Sequence, residues 1–250
     1  MIQVVCVKQV PDTETRVKVA ADGRNLDPAG VTWVLNPYDE YAVEQALRVR
    51  EAQGGGEVVA LTVGGAGVQS TLRSVLAMGA DRAIHLRTDL PAPDPLAVAR
   101  ALAAEIKALA PGLAWFGKQA VDDDQGQVGA MVAELLDLPC ATSVSTFALE
   151  GEKATVEREI EGGREVIELA LPAVVTAEKG LNEPRYASLK GIMAAKKKTI
   201  VEKPAALGEP ALEVLALELP PPRAAGRVVG QGAEAVPELV RVLREEAKVI

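Results

Sequence analysis

The chain has 250 residues, 48% hydrophobic and 25% charged, enough to bury one core plus a smaller appendage. Its formal net charge of −8 disfavours general binding to nucleic acid or to an anionic membrane surface. With no run of about 18 apolar residues, no membrane insertion is expected. Cys6 and Cys140 lie far apart, form no metal spacing and fit a reducing interior. The start, Met1 to Val7, lacks the basic segment and long apolar stretch of a signal peptide and reads as a first strand, so an intracellular protein is expected.

Val4 to Val7 is a short apolar run suited to a strand buried on both faces. Asn36-Pro37 opens a helix, with Asn36 as N-cap, Pro37 at the first helical position and Asp39 and Glu40 near the positive helix end. Val58 to Val63 is the next strand, and Gly64-Gly65-Ala66-Gly67 turns into a helix carrying Leu72, Val75 and Leu76. Ala83 to Leu86 reads as a strand, Ala97 to Leu109 as a helix, Leu113 to Phe116 as a strand and Gln127 to Leu136 as a helix. Strands alternating with helices of this length predict an α/β fold: a parallel, Rossmann-like sheet with crossover helices.

After Pro139 the pattern becomes β-rich, over Thr142 to Leu149, Ala154 to Ile160 and Arg164 to Leu171, with Glu161-Gly162-Gly163 as a hairpin turn and one wet face. The apolar run Leu169 to Val175 reads as one buried strand. Gly180 to Lys198 follows, broken by Asn182, Pro184 and Gly191, yet carrying Tyr186, Leu189, Ile192 and Met193. A long irregular segment with that much apolar surface packs on its own domain or meets a partner. Lys196-Lys197-Lys198 is either a solvated helix end or a partner contact. From about Lys203 a proline-rich connection leads to an amphipathic helix, Ala235 to Lys248, which must dock on the body or on another chain. The expected division is therefore 1–202, a nucleotide-binding α/β domain, and 203–250, a C-terminal arm.

In an open parallel sheet the crevice beyond the carboxyl ends of the strands is the default ligand site. Cys6-Val7-Lys8 ends the first strand there. Gly64 to Gly67 would let backbone N–H groups approach a phosphate, although a tight turn explains it equally well. The loop Gly117-Lys118-Gln119-Ala120-Val121-Asp122-Asp123-Asp124-Gln125-Gly126-Gln127-Val128 runs from a strand into a helix. Its three adjacent carboxylates need solvent, a cation, backbone donors or ligand hydroxyls. Together these loops suggest a mononucleotide site. No nucleophile elbow, Cys–His pair or metal cluster accompanies it, and the lone His85 reads as structural. A nucleotide site without chemistry points to a binding or carrier protein.

The segments V-K-Q-V, L-N-P-Y-D-E-Y-A-V-E-Q-A, A-M-G-A-D-R-A-I-H, G-K-Q-A-V-D-D-D, V-E-R-E-I-E-G-G, and above all L-P-A-V-V-T through L-N-E-P-R-Y-A-S-L-K-G-I-M-A-A-K-K-K, resemble the β subunit of electron transfer flavoproteins nearly end to end. The resemblance implies a heterodimer with an α subunit. It would accept electrons from acyl-CoA and related flavin dehydrogenases and pass them to a quinone oxidoreductase, without catalytic residues of its own. It implies FAD held mainly by the α subunit, and a structural AMP buried in the β subunit. By position, the AMP site would comprise Cys6, the turn Asn36, Pro37, Tyr38, Asp39, then Val63 and Gly117 to Val128, with Tyr38 approaching the flavin.

Electron-bifurcating members carry a second FAD in place of AMP and tend to read D-G-D-T in the loop. Asp123 and Gln125 here replace that glycine and threonine, which favours AMP. Apart from the resemblance, a stand-alone adenine-nucleotide-binding regulatory protein or a nucleotide-dependent ligase-type enzyme stays open. The resemblance further implies that Gly180 to Lys198 docks on donor dehydrogenases, with Leu189 as anchor beside Tyr186, Ile192 and Met193. It would make Lys196 to Lys198 orienting charges and the arm a clasp on the α subunit. A composition rich in Ala, Pro and Arg, together with the N-terminus, leads to the expectation of a bacterial cytoplasm.

Overall fold

Alternating side chains along β1 (Ile2–Cys6) sort the core onto two faces of the sheet. Val5 packs with α1 (Pro37–Ala52) and α2 (Val68–Met78), through Ala42, Leu47, Leu72 and Leu76. Val4 and Cys6 pack with α3 (Pro95–Leu109) and α4 (Val128–Leu136), through Leu102, Ile106, Val132 and Ala133. Around β1 lie β4 (Glu57–Gly64), β5 (Arg82–Arg87), β6 (Leu113–Gly117), β7 (Cys140–Glu150), β10 (Ala173–Ala177) and β11 (Ile200–Pro204). All of these are parallel, in the order β11-β5-β4-β1-β6-β10-β7. The sheet is completed by β8 (Lys153–Ile160) and β9 (Gly163–Ala170), which add antiparallel beside β7. A separate ribbon pairs β2 (Gln9–Pro11) with β3 (Trp33–Leu35). The computed structural model describes residues 1–222 and 225–250; Arg223 and Ala224, inside the expected arm, lie outside the described residues.

The α/β architecture with a large, mostly parallel sheet agrees with the sequence reading. Buried Gln3 links sheet and helix: its Nε2 donates to the Ala46 carbonyl at 3.0 Å, and its Oε1 accepts from Trp115 Nε1 at 2.9 Å. The hairpin has the expected wet face, with Val166 61% exposed, while Leu169 is buried. Two details of the strands differ. Leu169 to Val175 is not one strand: β9 stops at Ala170, and the chain turns through Leu171-Pro172 before β10. Proline supplies no N–H to a ladder, so it falls at the break. Glu161-Gly162 alone makes the hairpin turn, because Gly163 already pairs with Ile160.

The compact body runs past Glu202 to Leu217, and residues 218–250 form a second unit. Within that unit the expected helix is short and irregular: a 3₁₀ turn at Ala233–Ala235, α6 (Val236–Arg241), then a π turn at Val242–Glu246. None of these three turns has a buried residue. Proline at the start of α6 permits only a fresh helical beginning there.

Candidate functional site

Chain order reverses at β1, with β4 on one side and β6 on the other, and loops there diverge beyond the strand ends. A cleft of about 180 Å³ opens at that point. Its walls are Cys6 at the end of β1 with Val7 and Lys8 after it, Asn36 and Asp39 at the start of α1, Val63 in β4 and the loop that follows Phe116. Pro93, Pro95, Val98 and Leu102, around the start of α3, close the apolar side. A wider depression of about 740 Å³ is lined by Met1, Gly112, Leu171, Pro172 and others. Glu152 is the only ionisable side chain lining it, so the smaller cleft holds the converging polar groups.

Asp39 is the hub of the cleft floor. Its Oδ2 accepts from the Lys8 backbone N–H at 2.7 Å, and its Oδ1 accepts from Asn36 Nδ2 at 2.9 Å and from the Gly117 N–H at 3.1 Å. Burial pushes this carboxyl up to about 7 against the pull of those three donors. Cys6 beside it is buried, and burial followed by the Asp39 charge raises its thiol well above the ordinary value, so it sits there as a neutral apolar group. Asn36 occupies the N-cap position but its side chain caps nothing. Instead Nδ2 also donates to the Gln119 carbonyl at 2.9 Å, and Oδ1 accepts from the Val121 N–H at 3.2 Å. The expected cap is thus a pin for the loop after β6, because tertiary partners reach its amide first.

That loop is braced by its own charges. Lys8 Nζ lies 2.8 Å from both Asp122 Oδ1 and Asp123 Oδ2, which outweigh its burial and raise its ammonium above the ordinary value. Gln119 Nε2 donates to Asp124 Oδ1 at 2.7 Å, and the Gln125 N–H to Asp123 Oδ1 at 3.2 Å. Gly126, at φ +60°, completes the turn into α4, whose first residue has no side-chain cap. The first N–H groups of a helix have no intrahelical acceptor, so the start of α4 is a natural place for an anion. Lys8 bridges two of the three neighbouring carboxylates and offsets one of their three charges.

The expected site residues divide accordingly. Cys6, Asn36, Asp39, Val63, Gly117, Lys118, Gln119, Ala120, Asp123, Gln125, Gly126, Gln127 and Val128 line the cleft together, whereas Pro37, Tyr38, Val121, Asp122 and Asp124 do not. Pro37 is exposed, and Tyr38 is half-buried with the Lys118 ammonium 5.2 Å from its ring centroid. The Gly64 to Gly67 turn also lies outside the lining; its carbonyls serve His85 Nε2 at Gly64 and Gln9 Nε2 at Gly67. Pro93, Pro95, Val98, Leu102, Phe116 and Gly129 enter the lining without having been singled out. A local signal for the α3 group existed in Asp94-Pro95: Asp94 Oδ1 accepts from the Leu96 and Ala97 N–H groups, fixing where that helix begins.

The segment 180–198 is a built platform. Asn182 Nδ2 donates to the Tyr41 carbonyl and to Gln45 Oε1, and Arg185 pairs with Glu44 and Glu51, all on α1. From Ser188 the chain forms α5 (Leu189–Ala195), the Ser188 Oγ accepting from the Gly191 N–H at 3.0 Å. Gly191, read from sequence as a break, lies inside this helix, where a side chain would strike the Ala77 carbonyl of α2. Tyr186, Leu189, Ile192 and Met193 remain exposed, at 98%, 84%, 44% and 63%. Lys198 is not a free orienting charge. Its ammonium donates to the Leu76 and Ala80 carbonyls at the end of α2, and burial lowers it from its ordinary value. Lys196 and Lys197 stay exposed.

The sequence profile of the electron transfer flavoprotein domain matches residues 25–207. The "Electron transfer flavoprotein subunit beta, mitochondrial" of Oryza sativa subsp. indica is 46% identical over 254 residues, covering 98% of each chain. The "Electron transfer flavoprotein subunit beta" of Bacillus subtilis is 41% identical over 256 residues, again 98% of each. Its counterpart in Homo sapiens is 45% identical over 252 residues, covering 98% of this chain and 97% of the relative. The chain belongs to the electron transfer flavoprotein β-subunit family. Members of this family are electron carriers rather than enzymes. Among the described residues, no helix is long and apolar enough to cross a membrane, and no three His, Cys, Asp or Glu side chains are grouped to hold a metal. His85, fully buried, lies with Nε2 2.9 Å from the Gly64 carbonyl and Nδ1 3.1 Å from Glu202 Oε2, though not aligned for a hydrogen bond to it. It joins β5 to its neighbours β4 and β11 and is not part of the cleft lining.

Proposed function

We propose that this family member is the β subunit of a heterodimer that takes electrons from acyl-CoA-type flavin dehydrogenases and delivers them to a quinone oxidoreductase. In this reading the cleft holds AMP and the chain helps to enclose an FAD carried mainly by the α subunit. The observation that carries the nucleotide part is the cleft's division into two chemistries. Val63, Val98, Leu102 and Phe116 offer an apolar wall for a base, while the uncapped start of α4 at Gln127 to Gly129 offers N–H donors to a phosphate. Asp123 leaves lone pairs for ribose hydroxyls and is held in place by Lys8, which it shares with Asp122.

When bound, the flavin supplies the electron-accepting chemistry. This chain's part is to fix the cleft, exclude water and present a docking surface. Tyr38 and Lys118 stand as its residues toward the flavin, with Lys118 held 2.5 Å from Glu178 Oε2. Tyr186, Leu189, Ile192 and Met193 form the donor-facing surface, Leu189 entering a pocket of the partner. The stretch 203–250 is read as the arm that clasps the α subunit. It exposes Leu212, Leu215, Leu219 and Val228, apolar surface that suits a partner chain.

Co-expression with an α subunit, followed by nucleotide extraction and quantitation, tests this directly. One FAD and one AMP per heterodimer is the expected result. Two FAD with no AMP would overturn the AMP assignment, and a stable colourless monomer would overturn the carrier reading itself.

A further inference from the structure

We infer that Arg185 is the positioning residue of the docking surface, clamping the segment 180–198 onto α1 so that Leu189 is presented in one geometry before any partner arrives. The inference rests on the proposed role of that surface. An exposed apolar segment left mobile would have to be ordered on binding, at a cost in affinity. Here the segment is ordered in advance by several contacts, and Arg185 makes the most side-chain hydrogen bonds among them.

The geometry is a two-carboxylate fork. Arg185 Nε donates to Glu44 Oε2 at 2.7 Å, and Nη2 to Glu44 Oε1 at 3.1 Å. Nη1 and Nη2 also donate to Glu51 Oε1 and Oε2, at 2.6 and 3.1 Å. The Arg185 backbone N–H adds a contact to Glu44 Oε2 at 3.3 Å. All five donors of a guanidinium lie in one plane, so gripping both carboxylates fixes the backbone as well as the charge. The Glu44 side chain is 4% exposed and is itself held by Arg48 Nε at 2.8 Å. Arg48 Nη2 also reaches the Glu183 carbonyl at 3.3 Å, so the clamp catches the segment twice.

The neighbour of the clamped residue is Tyr186, the most exposed of the four apolar side chains, and Leu189 follows in the first turn of α5. The side-chain hydrogen bonds of Arg185 go to Glu44 and Glu51, not to either of these. Its effect on docking would therefore come through the backbone of the segment. Lysine keeps the charge but is a point donor without the fork, which makes Arg185→Lys a diagnostic substitution.

The test uses the α/β heterodimer with R185K, R185A and, as a reference, L189A. Amide hydrogen exchange over 182–195 is read in the absence of any partner. Electron transfer is read with an acyl-CoA dehydrogenase kept reduced by excess acyl-CoA. For R185A we expect at least tenfold faster exchange across the segment, and a KM for the carrier about tenfold higher with saturating kcat and flavin content retained. R185K should fall between wild type and R185A in both, and L189A should raise KM while leaving exchange unchanged. Unaltered exchange in R185A overturns the clamp. Faster exchange with an unchanged KM, alongside a raised KM in L189A, overturns its positioning role. An unchanged KM in L189A removes the docking surface, and the inference about docking falls with it, whatever the exchange shows.

Discussion

Two acidic side chains on α1 stand in opposite electrostatic situations although both residues are nearly inaccessible, Asp39 at 5% and Glu44 at 3%. Asp39, in the first turn, accepts hydrogen bonds only from uncharged donors, two backbone N–H groups and an amide, and the Lys8 charge pulls on it only weakly. Burial wins there, and the group rises to about 7. Glu44, farther along, meets two guanidiniums, and although burial opposes them, Arg185 and Arg48 hold it below its ordinary value. Burial alone therefore does not set the charge of a carboxylate; the formal charge of its partners does. The cleft end of α1 is fastened by hydrogen bonds, and the end that carries the segment 180–198, the proposed docking end, by ion pairs.

The largest expected consequence is a pH dependence of opposite sign at the two ends. For Asp39 the folded-state value lies above the ordinary 3.8, so its stability contribution is fully present below about pH 3.8 and is lost as pH rises through 7. A rise from 3.8 to about 7, at about 1.4 kcal/mol per pH unit, is on the order of 4 kcal/mol. Asp39→Asn stays neutral throughout. Urea unfolding from pH 4 to 8 should show wild type losing stability relative to this variant by that order. Parallel curves would mean that Asp39 ionises in the folded protein as it does in the unfolded chain. Glu44, with a lowered value, contributes stability that is present above about 4.5 and lost as pH falls below it. Glu44→Ala should cost about 2 kcal/mol at pH 7, because the guanidiniums it strands are partly exposed and can rehydrate. The same measurement should find that penalty shrinking as pH falls below 4.5.

Asn36→Ala comes next. It removes the acceptor of the Val121 N–H and the donor to the Gln119 carbonyl, for about 1–2 kcal/mol. Amide exchange over residues 118–126 should quicken, with weaker AMP retention on dialysis. Unchanged exchange would mean that the loop is held by Lys8 and its aspartates alone.

This residue also shows where sequence reading stops. Asn36-Pro37 announces a helix start correctly, since proline and the acids after it are local signals. The loop pinned by the asparagine amide lies 83 positions away, and no periodicity carries that. The strands were legible because Val4, Val5, Val58, Val59 and their neighbours are buried on both faces and need unbroken apolar runs. Gly191 and Lys198 were misread for a shared reason. Glycine signals a break and lysine a solvated end only until α2 packs beside them, its Ala77 carbonyl excluding a side chain and its last carbonyls accepting an ammonium. Val98 and Leu102 lie inside the expected helix Ala97 to Leu109, where nothing local marks them as lining a cleft that other elements complete.

The smallest effect on stability should come from Leu189→Ala, and that is what makes it informative. Leu189 is 84% exposed, so truncation removes little buried area and should move unfolding by no more than about 0.5 kcal/mol. Its expected effect lies elsewhere: a KM for the carrier about tenfold higher with a donor dehydrogenase, or about 1.4 kcal/mol of docking energy, at unchanged flavin and AMP content. Glu44→Ala would combine a stability loss with a docking loss, because it loosens the platform. Leu189→Ala should show the second without the first. If it instead destabilised the fold or emptied the cleft, Leu189 would belong to the core, and the division of α1 into a cleft end and a docking end would lose its functional meaning.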